Sequence, residues 1–180
     1  VQVSVSGNKA TVEKIELPVV ESGSTGEEKP TGNIVLDFSK SDDTAAESAQ
    51  TITAVAIPTD IVKQIADASG EEQKLEIVLA GGAAIELDAA ALSEKAAKEG
   101  NGEVNIARES SENAPINDAQ KEAVGDRPAY EISVTSGGKN ISDMGSTITV
   151  RAPYELKPGE KSRGLVVWYV DDNGVKHRCT

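Results

Sequence analysis

The only histidine and the only cysteine of the chain lie close together near its end. His177 and Cys179 are two positions apart in a segment typical of a strand, so both side chains are expected on one face. A cysteine beside an imidazolium forms the nucleophilic thiolate more readily. No oxyanion-hole motif accompanies the pair, and such same-face pairs are common in strands. We therefore predict no catalytic residue and no enzyme activity in this chain.

Paired carboxylates occur at Asp42-Asp43, Glu71-Glu72 and Asp171-Asp172. Two carboxylates can hydrolyse glycosides or bind calcium, but both tasks need a defined separation or an oxygen cage. Adjacent residues on a strand or in a turn point apart. The run Asp171-Asp172-Asn173-Gly174 departs from the alternating calcium-loop pattern and is typical of a hairpin turn. We therefore predict exposed pairs and no metal ligand.

Glycine-rich corners are the candidates for phosphate binding. They lie at Gly81-Gly82, Gly125-Asp126 and Gly137-Gly138, and none matches a P-loop or a dinucleotide fingerprint. Each lies between strands or at a helix end. These corners are predicted to be turns, and no cofactor or cofactor-binding residue is expected.

Two adjacent aromatic residues are the candidates for stacking on a ligand such as a sugar. Trp168 and Tyr169 stand inside the apolar run 165–170. Because neighbouring strand residues face opposite ways, one of the two is expected to lie in the core. At most one is therefore expected to be free to bind.

The composition excludes several classes of function. The chain has 180 residues, a net charge of −12 and 3% aromatic residues. This acidic balance argues against nucleic acid as a partner, because binding to phosphates needs clustered Lys and Arg. One His and one Cys exclude a multi-ligand His/Cys metal site and a disulfide within the chain. Since no run of about 18 apolar residues occurs, we predict no membrane insertion.

Two stretches in the middle of the chain combine a strand with a short helix. Residues 51–57 lead into a helix at 59–68, whose residues Ile61, Val62 and Ile65 share one face. Residues 74–80 and 83–88 alternate around Gly81-Gly82, as in a hairpin. A second helix at 89–99 follows, with Asp88 as its cap.

The remaining segments are mainly strand-like. Asn117 and Gln120 predict a capping box for a third short helix that ends near Val124. About nine strands are expected in total, and residues 17–31 are expected to form a loop. The fold class predicted is mainly β (α+β), an antiparallel β-sandwich decorated by about three short helices. One compact domain is expected, with an N-terminal region at 1–50, a strand-helix region at 51–125 and a C-terminal β region at 126–180.

The ordered motifs of the second half resemble a known bacterial module. The strings AQKEAVGDRPAYEISVTSGGKNISDMG, ITVRAPYELKPGE and GLVVWYVDDNG resemble a module of large cell-surface proteins of Firmicutes. That module often stands near Ig-like, S-layer homology or dockerin repeats. The segments AVAIPTDIVKQIA and AAIELDAAALSEKA also fit its pattern, so the resemblance covers residues 51–180 well and the first 50 loosely. The C-terminal half is similar to the ZU-type domains of ankyrins and netrin receptors.

The resemblance implies an extracellular location on a bacterial cell surface. It implies a non-enzymatic structural or interaction module, whose partners are neighbouring domains of the same polypeptide. A second hypothesis is a self-cleaving module, because some ZU-type domains cleave themselves in a closing strand, which would lie beyond Thr180. A third is an adhesin that binds cell-wall or host glycans, or a surface protein, through Trp168 or Tyr169.

Overall fold

The computed structural model describes residues 1–17, 33–39, 51–68, 74–99, 102–110, 112 and 116–179. The predicted loop at 17–31 and the pairs Asp42-Asp43 and Glu71-Glu72 lie wholly or mostly outside these residues. Strands make up 39% of the described residues and helices 24%.

The described residues form three α-helices and twelve strands. The helices are α1 (Thr59–Ala68), α2 (Ala89–Glu99) and α3 (Asp118–Val124). The strands are β1 (Gln2–Ser6), β2 (Lys9–Lys14), β3 (Ile34–Asp37), β4 (Ala54–Pro58), β5 (Lys74–Val78), β6 (Ala84–Asp88), β7 (Glu103–Ser110), β8 (Tyr130–Ser136), β9 (Lys139–Asn140), β10 (Thr149–Arg151), β11 (Trp168–Val170) and β12 (Lys176–Arg178).

The strands form three sheets. A six-stranded sheet has the order β1-β2-β4-β7-β8-β9, a four-stranded sheet has the order β10-β6-β5-β3, and β11 pairs with β12 alone. The mainly β (α+β) class with three helices is confirmed. The sheets are mixed: most described pairs are antiparallel, as expected, but β2 pairs with β4 and β3 with β5 in parallel. Alternation of apolar residues marks a strand but carries no information about its direction.

The three predicted helices begin with the expected caps or sequence signals. The Asp88 carboxylate accepts the N–H of Ala91 at 2.8 Å. Asn117 and Gln120 form the reciprocal capping box, with side-chain-to-backbone bonds of 2.9 and 3.0 Å. On α1 the buried residues are Ile61, Val62 and Ile65, as the spacing predicted. Gly70 and Gly100, the glycines that follow α1 and α2 in the sequence, lie outside the described residues.

The chain divides into two compact units. The first unit comprises Val1–Ala107 and Ser133–Pro153, and the second comprises Arg108–Ile132 and Tyr154–Thr180. These bounds differ from the three regions expected from the sequence. Helices α1 and α2 and the ten strands from β1 to β10 lie wholly or partly in the first unit, whereas α3, β11 and β12 lie in the second.

The hydrophobic core belongs to the first unit. Helices α1 and α2 pack on each other, and each also contacts the strand that precedes it. The largest fully buried side chains come from both larger sheets and both helices: Val12, Val55, Ile57, Val62, Ile65, Leu75, Ile77, Leu79, Ile85, Leu87, Leu92 and Ile106. Burial of these side chains is the main force that stabilises this unit.

The second unit has a different character. None of its described residues is buried. Nine of its large apolar side chains are exposed: Tyr130, Tyr154, Leu156, Leu165, Val166, Val167, Trp168, Tyr169 and Val175. No described helix of the chain is both long and apolar enough to cross a membrane.

Candidate functional site

The candidate site is the C-terminal ribbon, which we define as β11, β12 and the turn between them. The two strands are antiparallel, with Trp168 opposite Arg178, Tyr169 opposite His177 and Val170 opposite Lys176. The predicted hairpin turn at residues 171–174 is confirmed. The apolar run 165–170 was expected to be a strand, but only its last three residues pair.

The turn is held by the side chain of Asp171. One of its carboxylate oxygens, Oδ1, accepts the backbone N–H groups of Asn173 and Val175, each at 2.9 Å. The other, Oδ2, lies 3.0 Å from Nε2 of His177. A carboxylate that satisfies backbone donors in this way fixes a turn, which is a common role of aspartate.

The turn also holds helix α3. The side-chain amide of Asn117 donates to the backbone oxygen of Asp172 at 2.8 Å, and Gln120 lies 3.4 Å from the Asp172 carboxylate. At Gly174, where φ is +78°, a Cβ atom would lie 2.6 Å from the carbonyl oxygen of Ala119. Only glycine therefore allows this close approach.

The described contacts of His177 are with residues of the hairpin and not with Cys179. His177 contacts Asp171 through its ring nitrogen, and its ring centroid lies 5.8 Å from that of Tyr169. Cys179 is an exposed free cysteine, and among the described residues no hydrogen bond joins its thiol to the His177 ring. In the described chain the histidine is therefore part of the hairpin and its hydrogen bonding.

Both aromatic candidates are accessible. Trp168 is 49% exposed and Tyr169 is 60% exposed. The expectation that one of them lies in the core is wrong. Adjacent strand residues do point to opposite faces, but the ribbon is a sheet of two strands with no buried side chain on either face.

The carboxylates and glycines behave as turn and surface residues where they are described. No group of three or more His, Cys, Asp or Glu side chains able to hold a metal occurs within the described ranges. Gly81-Gly82 and Gly137-Gly138 lie in turns between strands, with positive φ at each residue. Gly125 ends α3, and its N–H donates to the carbonyl of Lys121.

A cationic component of the site was missed from the sequence. Lys176 and Arg178 are exposed on β12, opposite Val170 and Trp168. In the sequence they stand in the short run Lys176-His177-Arg178, whose alternation places two cations on one face. The alternation of the two cations is visible in the sequence alone. That Arg178 lies opposite Trp168 is known only from the strand register.

We expect the ribbon to lose stability in acid. Hydrogen bonds from His177, then from the N–H groups of Val175 and Asn173, lower the pKa of Asp171 from its ordinary value of 3.8. A lowered folded-state pKa stabilises the hairpin above the ordinary value. This contribution is lost as the pH falls from 3.8 through the lower folded value. The emission of Trp168, the only tryptophan, against pH measures the change.

The control for this acid transition is Asp171→Asn, whose amide does not titrate. Its hairpin is expected to be weaker at neutral pH and to lack the acid step. Glu160 in the same unit also has a lowered pKa, owing to the N–H of Lys157 and the hydroxyl of Tyr154. An unchanged acid transition in Asp171→Asn would therefore assign the effect to another carboxylate.

Comparison of the chain with protein-family profiles, with curated proteins and with solved structures found no match.

Proposed function

We propose that the chain is a non-enzymatic interaction module of a bacterial cell-surface or scaffold protein, and that its second unit contacts the partner. The observation that carries this proposal is the absence of any buried residue among the described part of that unit, although it holds Trp168, Tyr169 and Val167. A concentration of large exposed apolar side chains in one part of a folded protein favours an interaction site there. The first unit supplies a packed core as the scaffold.

Three further observations support this proposal. Trp168 and Tyr169 are aromatic, and such side chains are enriched where proteins contact partners. The net charge of −12 keeps an extracellular module soluble by self-repulsion. The resemblance of residues 119–174 to modules of Firmicutes surface proteins favours the extracellular location.

The test is binding of the fluorescently labelled chain to intact cells of a Gram-positive bacterium. We expect Val167→Ser with Trp168→Ser to weaken binding by about tenfold or more, because these changes remove apolar contact area. The matched control is Val3→Ser with Val5→Ser, since those two valines are exposed on β1 of the first unit at 42% and 48%.

Equal binding by the two double variants, or no binding by the unaltered chain, would contradict the proposal. A parallel incubation with peptide and glycan substrates, followed by mass spectrometry, is expected to give no product. Turnover that is present in the unaltered chain and lost in His177→Ala would show that the protein is an enzyme and would contradict the proposed function.

A further inference from the structure

The strand register sorts the ribbon side chains onto two different faces. Residues directly opposite each other in an antiparallel pair share a face, and successive residues alternate. Trp168 and Arg178 therefore lie on one face together with Val170 and Lys176, and we call this the tryptophan face. Tyr169 and His177 lie on the other, which we call the tyrosine face.

The backbone hydrogen bonds show which kind of cross-strand pair lies on the tryptophan face. The N–H of Asp171 donates to the carbonyl of Val175 at 3.1 Å, and the N–H of Cys179 donates to that of Val167 at 3.0 Å. Hydrogen-bonded and non-hydrogen-bonded pairs alternate along an antiparallel ladder. The pairs Trp168–Arg178 and Val170–Lys176 are therefore the non-hydrogen-bonded ones, whose side chains are closest.

The charges on the tryptophan face are not neutralised within the described chain. Neither Lys176 nor Arg178 forms an ion pair with a described residue, whereas the nearby Asp171 carboxylate bonds to His177 on the tyrosine face and to the turn. Two cations without an ion-pair partner among the described residues therefore share a face with an exposed indole, and Arg178 is directly opposite Trp168. A ligand complementary to this face is flat, partly apolar and anionic.

We propose that the tryptophan face binds an acidic polysaccharide, through sugar rings that carry a carboxylate. The C–H face of a pyranose ring is apolar and packs on the flat indole of Trp168. The sugar carboxylate pairs with the guanidinium of Arg178, which can donate two parallel hydrogen bonds. Lys176 supplies a second positive charge. This inference rests on the proposed function and specifies the partner of the same unit.

The short strands disfavour an extended peptide as the occupant. A peptide that adds a strand to a sheet edge is held by main-chain hydrogen bonds along that edge. Each ribbon strand has only three residues. In each strand, only the two residues of the non-hydrogen-bonded pairs point their backbone N–H and C=O groups away from the partner strand. So short an edge provides few such bonds, and the side chains of the face become the principal recognition elements.

The experiment compares oligogalacturonate with its methyl-esterified form, which has the same sugar backbone without the charge. Isothermal titration calorimetry measures both affinities, and quenching of the only tryptophan reports contact at the face. We expect the acidic form to bind at least about tenfold more tightly, and more weakly as salt is added, because exposed charges are screened.

The variants separate the two faces. Trp168→Ala and Arg178→Ala are each expected to weaken binding of oligogalacturonate by about tenfold or more. Arg178→Lys keeps the charge but loses the paired geometry, so we expect an intermediate loss. Tyr169→Ala, on the tyrosine face, is the matched control and is expected to bind as the unaltered chain does. Amide NMR spectra show whether each variant keeps the hairpin.

Three results would overturn the inference. These are equal binding of the charged and esterified forms, equal losses in Trp168→Ala and Tyr169→Ala, or equally tight binding of polyglutamate, which would indicate a peptide or charge alone. In each case, binding to cells through Val167 and Trp168 could still persist, and the proposed function would then stand without this ligand. Absence of cell binding as well would contradict both the proposed function and this inference.

Discussion

Replacing Leu87 with alanine is expected to lower the free energy of unfolding of the first unit by about 2–5 kcal/mol. Leu87 lies on β6 directly opposite Leu75 of β5, and both side chains are 0% exposed. Truncation removes apolar contacts and leaves a cavity, because the surrounding close-packed side chains relax only partly into the space. Urea unfolding followed by far-ultraviolet circular dichroism, which is sensitive to α1 and α2, measures the loss.

The matched control for this substitution is Leu165→Ala. Leu165 belongs to the second unit and is 44% exposed, so its truncation is expected to change unfolding of the first unit by less than about 0.5 kcal/mol. A loss as large as that of Leu87→Ala would show that residues of the second unit contribute to the core.

Replacing Gly174 with alanine is expected to destabilise the contact between the turn and α3 by roughly 3 kcal/mol or more. The new Cβ would lie 2.6 Å from the carbonyl oxygen and 3.0 Å from the carbonyl carbon of Ala119. A backbone group cannot rotate away as a side chain does, so the helix must move. We expect faster amide exchange across Asp118–Val124 and a shift in Trp168 emission.

Gly138→Ala separates this clash from backbone strain. Gly138 has φ of +79°, almost the same as Gly174, but nothing lies within 4 Å of its added Cβ. Only the cost of a left-handed backbone applies there, about 1–2 kcal/mol. Equal effects of the two substitutions on their own turns would mean that α3 does not constrain Gly174.

The helices are the part of the fold that the sequence predicted best. The bounds of α1 and α2 and the capping residues Asp88 and Asn117 agree with the structure. Caps and apolar spacing act within a few residues, so the signal is contained in the local sequence. The hairpins around Gly81-Gly82 and Asp171–Gly174 were predictable for the same reason.

The sheets were predicted less well, because pairing joins residues distant in the chain. The parallel pairs β2 with β4 and β3 with β5 connect segments that local patterns cannot orient. The short strand β9 has two residues, too few for a period-two signal. Very short strands such as β9 contribute to the difference between the nine or so strands expected and the twelve described.

The candidate site shows the same division. Trp168 and Tyr169 were recognised from their types alone, but the expectation that one is buried relied on an average property of strands. Lys176 and Arg178 were not recognised as partners of Trp168. Their relation depends on the register across the hairpin, which the turn residue Asp171 sets through bonds to Asn173 and Val175.

The amino-acid sequence by itself determined the three helices, their caps, the turns and the mainly β class, because these follow from interactions between residues near each other in the chain. Only the tertiary structure decided which strands pair, which unit holds the core and that both Trp168 and Tyr169 are exposed. The physical reason is that burial depends on what packs against a side chain. An apolar run such as 165–170 looks the same whether or not something covers it.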